Sequence, residues 1–69
     1  MKVAFKNLGR NNSNFVADIK ELSYDELYKA VKGHLLSREI EFNYNDETKK
    51  GVVIVGIVRV VGEFEIIGD

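Results

Sequence analysis

Val52-Val53-Ile54-Val55-Gly56-Ile57-Val58-Arg59-Val60-Val61-Gly62-Glu63-Phe64-Glu65-Ile66-Ile67 is the stretch that decides how this chain folds. Eight of the ten residues from Val52 to Val61 are Val or Ile, and β-branched side chains at that density select strand over buried helix. The even positions Val52, Ile54, Gly56, Val58, Val60, Gly62, Phe64 and Ile66 keep one apolar phase. The odd positions change from Val53, Val55 and Ile57 to Arg59, Glu63 and Glu65. The even side is therefore expected to face the core. A straight strand over residues 52–67 would run about 50 Å at ~3.3 Å per residue, roughly twice the width of a compact chain of this size. It must bend at Gly56 or Gly62, the preferred reading, or reverse in a hairpin at Gly62-Glu63.

The odd side poses a second question. Val53, Val55, Ile57 and Val61, with Arg59 among them, make a second apolar face on the same segment. A single helix covers only one face of a small sheet, so this one is the candidate interaction face. Its cover is either the N-terminal hairpin, folding across to close a small barrel, or another protein chain such as a second copy.

Outward from this segment the pattern is clearer. Residues 2–6 and 15–21 alternate with period two and predict two strands, with Val3, Phe5, Phe15, Ala17 and Ile19 inward. Between them Gly9 and Asn7, Asn11, Asn12 and Asn14 have the composition of a turn that visits left-handed backbone. Ser23-Tyr24-Asp25-Glu26 reads as a capping box, with Leu22 and Leu27 placed for a hydrophobic staple. Tyr24, Leu27, Tyr28, Val31, His34 and Leu35 then recur at three- and four-residue spacing, predicting an amphipathic helix that ends near Leu36 or Ser37. Ile40, Phe42 and Tyr44 alternate with Glu39, Glu41 and Asn43 as a half-buried strand, and residues 45–51 form a polar turn. The expected fold is a single small α+β domain over residues 1–69. Its mainly antiparallel sheet has four to five strands, strongly coiled or partly closed, with one helix on one face in the order ββαββ.

Composition narrows the function classes. Sixty-nine residues exclude a dinucleotide-binding unit or an eight-stranded α/β barrel. Ten basic against eleven acidic residues leave a net charge of −1, without the long-range field of a nucleic-acid binder. The absence of Cys removes disulfides, thiolate zinc sites and cysteine nucleophiles together. No run is apolar for long enough to span a bilayer. Met1 to Lys6 alternates charge and apolarity instead of forming a secretory leader, which predicts a cytoplasmic, stand-alone chain.

Candidate chemistry is thin. His34 is the only histidine and is expected to pack its ring at the helix end. Glu39 with Glu41, and Glu63 with Glu65, could gather four carboxylates only if their strands were neighbours, and they read first as solvated faces. Ser13, Ser23 and Ser37 have no base in sight. Asn11-Asn12-Ser13 matches a glycosylation sequon, in a chain expected to be cytoplasmic. Lys2, Lys6 and Arg10 beside the Asn-rich turn form a candidate phosphate-contact edge, with Phe5 or Phe15 able to stack on bases only if exposed. The expectation is a non-enzymatic protein-interaction module of the adaptor or inhibitor type, self-associating through an apolar sheet face, without cofactor or metal. The alternative is a nucleic-acid-binding module using the Lys2, Lys6 and Arg10 edge.

Overall fold

The computed structural model describes residues 1–36, 39–57 and 59–68. Five strands and one helix follow one another as β1 (Lys2–Leu8), β2 (Ser13–Asp18), α1 (Tyr24–Val31), β3 (Ile40–Asn45), β4 (Lys50–Val55) and β5 (Arg59–Gly68). The α+β class stands, but the order is ββαβββ, with the deciding stretch divided between two strands. All pairings are antiparallel, and the sheet runs β2-β1-β5-β4-β3. It is an open sheet with β2 and β3 as its edges. Among the described residues the sheet does not close into a barrel. The last strand in the chain occupies the middle of the sheet, between the first and the fourth.

The first hairpin follows its sequence. Asn7, Gly9 and Asn12 all have positive φ (54°, 73° and 48°), conformations that Gly and Asn reach at little cost. The Asn14 carboxamide oxygen accepts the Asn7 N–H at 3.1 Å, and its amide donates to the Asn12 carbonyl at 3.2 Å. A register shift between Phe5 and Leu8 leaves Lys6 and Asn7 both outward and returns Leu8 to the core. That shift is a β-bulge.

Ser23 caps α1, its hydroxyl accepting the Glu26 N–H at 3.3 Å. The reciprocal half of the box is replaced: the Glu26 carboxylate accepts the Lys20 N–H at 3.0 Å and lies 3.4 Å from the Lys29 ammonium. The Lys20 backbone bond is the main reason that its carboxyl titrates below the ordinary range, with Lys29 adding to it. Leu27 and Val31 are buried, whereas Leu22, the other half of the expected staple, stays exposed. The α-helix ends at Val31, short of the expected Leu36 or Ser37, and tightens into one 3-10 turn, Lys32–His34. Ser37 lies outside the described residues.

The segment after residue 51 corrects the sequence reading most. The chain reverses between Val55 and Arg59, which pair directly, and Gly56 takes a φ of +64° at the turn. Neither a bend in one long strand nor a hairpin at Gly62-Glu63 occurs. In β4 the core side is odd: Val53 is 0% exposed and Val55 packs against the core. In β5 it is even, with Gly62 and Phe64 buried and Ile66 partly buried. Parity inverts because Ile54 pairs with Val60 while Val53 pairs with Gly62, so Val61 is an extra residue in β5. Val58, which the even phase had included, lies outside the described residues.

The core between sheet and helix holds Val3, Phe5, Leu8, Ile19, Leu27, Val31, Ile40, Val53 and Phe64. Its centre is aromatic. Phe64 touches Phe5 (5.9 Å between ring centroids), Phe42 (6.1 Å) and Tyr44 (6.0 Å), while Phe42 meets Tyr24 edge-on at 5.4 Å. The Phe64 ring lies against Gly51 so closely that a Cβ there would overlap it. The Tyr24 hydroxyl donates to the Ile40 carbonyl at 2.5 Å, tying the helix to edge strand β3.

Candidate interaction surfaces

The predicted interaction face does not exist as one surface. Val53 is in the core, Val55 and Val61 pack against it, Ile57 is 92% exposed at the β4–β5 turn, and Arg59 is exposed at the start of β5. The question behind that prediction survives with the parity exchanged. Helix α1 covers one side of the sheet, and the other carries Ala4, Val16, Val52, Ile54 and Val60. Val16 and Val60 are each 56% exposed. Val52, Ile54 and Val60 are neighbours across the β4–β5 pairing, with Asn43 and Glu41 of β3 opposite Val52 and Ile54. These residues escaped the sequence reading because Val and Ile fill both parities of the segment and no polar residue marks the open side.

Charges of both signs interleave with this apolar surface. Lys6 stands opposite Glu63, Glu65 opposite Lys50, and Lys2 opposite Asp18. Lys2, Lys6 and Arg10 therefore form no edge: β1 is an interior strand, its two lysines face acids, and Arg10 belongs to the β1–β2 turn. Phe5 is 1% exposed and Phe15 stacks on it at 5.1 Å, so neither offers a face to a base.

The carboxylates stay apart as well. Glu41 on β3 and Glu63 and Glu65 on β5 are separated by β4, and Glu39 precedes β3. Among the described residues no group of three or more His, Asp or Glu side chains could hold a metal ion. His34 is exposed at the end of the 3-10 turn, its ring stacked on Phe15 at 4.4 Å.

A second concave feature opens at the end of the sheet. Gly9 N–H donates to the Val61 carbonyl at 2.9 Å, after which the first strand turns away, while β5 extends past that point through Val60 and Arg59. The resulting groove of about 620 Å³ lies between the β1–β2 turn, residues 34–36 and the β4–β5 tip. Leu35, Val55 and Val61 are among its apolar lining, and Arg10, Asn12, His34 and Arg59 among its polar lining. Among the described residues no helix is long and apolar enough to cross a membrane. No protein-family model, curated protein or solved structure matches the chain.

Proposed function

We propose that this chain is a small non-enzymatic protein-interaction module of the adaptor or inhibitor type, which pairs with a second copy of itself through the open face of its sheet. The observation that carries this reading is the cluster of exposed Val60 with half-buried Val52 and Ile54, on a side that no helix covers among the described residues. A partly exposed apolar cluster rimmed by polar residues is a common mark of a protein contact. The alternating lysines and acids around it suit self-pairing, because neither sign dominates and two copies do not meet as like-charged sheets. The molecule measures 29 × 20 × 19 Å, so one face presents on the order of 600 Å² in projection. Two copies then bury about 1,200 Å², the lower edge of specific interfaces, and the dimer is expected to be weak and concentration-dependent.

Sedimentation velocity over a concentration series, on the parent and on Ile54→Lys, tests the proposal. The parent should rise from monomer towards dimer mass. The variant should stay monomeric with an unchanged far-ultraviolet spectrum. A parent monomeric throughout, or a variant that associates equally, refutes self-pairing. Steeply salt-dependent capture of oligonucleotides would favour the phosphate reading instead.

A further inference from the structure

We infer that the groove at the end of the sheet binds an extended acidic peptide segment of a partner protein, with carboxylates on Arg10 and Arg59 and an apolar side chain on Leu35 and Val61. This groove adjoins the open face and shares Val52 and Val60 with it, but Ile54 lies outside it. Three observations converge on it. Among the described residues neither guanidinium has an ion-pair partner, whereas Lys29 is paired with Glu26, Lys49 with Asp46, and Lys6 faces Glu63. Arg10 and Arg59 thus share one groove with a single carboxylate residue, Glu63, which stands opposite Lys6, in a chain whose net charge is −1. Guanidinium forks match carboxylates bidentately and lose little by partial desolvation, so they suit a concave site better than lysines would.

The second observation is the apolar floor. Leu35, Val55 and Val61 lie between the polar groups, and neighbouring Leu36 is 89% exposed. A ligand carrying charge alone would leave that surface wet. A volume of about 620 Å³ is within the ~300–1,000 Å³ of ordinary ligand sites and admits a few residues of extended chain.

The third is backbone. Arg59 and Val60 lie beyond the last link between β5 and the first strand, so their outer edge has no neighbouring strand among the described residues. An extended peptide can add to such an edge while its side chains reach the groove. Single-stranded nucleic acid fits less well. The one ring in the lining, His34, is already stacked on Phe15, so bases find no platform.

The test is a titration of the full ¹⁵N-labelled chain with acetyl-EDLDE-amide, followed by amide chemical shifts at low and at near-physiological salt. Saturable shifts centred on Gly9, Arg10, Arg59 and Val61 are expected, with weaker binding as salt screens the exposed charges. Arg10→Glu and Arg59→Glu, both on exposed side chains, should each weaken binding at least about tenfold without moving the unfolding midpoint. Replacing the peptide's leucine by glycine should weaken it further. Ile54→Lys lies outside the groove and should bind the peptide normally, so loss of self-association and loss of peptide binding are read separately. Shifts centred on Lys2, Lys6 and Lys50, unchanged binding by both arginine variants, or equal binding of oligothymidylate at the same residues would overturn the proposal. So would loss of peptide binding in Ile54→Lys, since the binding site would then require the sheet-face contact between copies.

Discussion

The two sides of the sheet are built from different chemistry. All seven aromatic residues belong to the helix side, and their rings join Tyr28 to His34 without a break through Tyr24, Phe42, Phe64, Phe5 and Phe15, with Tyr44 branching from Phe64. The open side has no aromatic ring, only Ala, Val and Ile among Lys, Glu, Asp and Asn. The difference shows where stability and recognition reside. Wide rings supply the area that one short helix needs to close a core, while small branched side chains on the open side can be exposed at modest cost and can be covered reversibly.

Adjacent residues give the sharpest way to break this contrast. Val53→Lys places an ammonium in the core, where an unpaired buried charge costs several kcal/mol, and should unfold the chain at any concentration. Ile54→Lys, one residue on, should remain folded with a midpoint change of about 0.5 kcal/mol or less in urea. If both variants unfold, or neither does, the two sides are not distinct. Gly51→Ala comes next, because its methyl meets the Phe64 ring from the sheet side. Overpacking of this kind costs about 1–3 kcal/mol. Gly56→Ala has open space for its methyl and should show only the smaller strain of a positive φ.

Smaller effects test the helix that separates the two sides. Ser23→Ala should lose about 1 kcal/mol in urea unfolding, since the Glu26 amide is left without its capping hydroxyl. Glu26 adds a pH dependence. Its carboxyl is held below the ordinary value of 4.5 in the folded chain, so its contribution is present above that value and is lost as pH falls through the lowered folded one. Glu26→Gln should therefore narrow the gap between midpoints measured near neutrality and in acid. An unchanged gap would mean that the bond from Lys20 does not persist in solution.

Legibility followed the polar markers. In β1 up to Lys6, in β2 apart from Val16 and in β3, every other residue is charged, polar or small, so period two assigned most inward and outward sides directly, and the Asn-rich turn and Ser23 cap announced themselves. Between residues 52 and 61 only Gly56 and Arg59 interrupt Val and Ile, and the reversing turn holds Gly56 and Ile57 in place of the Asn or Asp that usually signal a hairpin. The bulge at Val61 then restored an even phase in β5, which made two strands look like one. The open face was inferable as a need, because one helix cannot cover two apolar sides, but not as a residue set. The groove was less legible still, since it depends on how far β5 overshoots the first strand.

The central place of β5 also governs the order in which this protein can acquire structure. Until Arg59–Gly68 has emerged from the ribosome, the first hairpin lacks its inner neighbour and the β3–β4 pair lacks its own. An isolated two-stranded hairpin is marginal in water. Lys2 pairs with Gly68, nearly the whole chain length away, so the step that completes the sheet closes the largest loop available. Folding is therefore expected to be governed by one late, long-range event, in which the entry of β5 orders the hairpins on both sides of it.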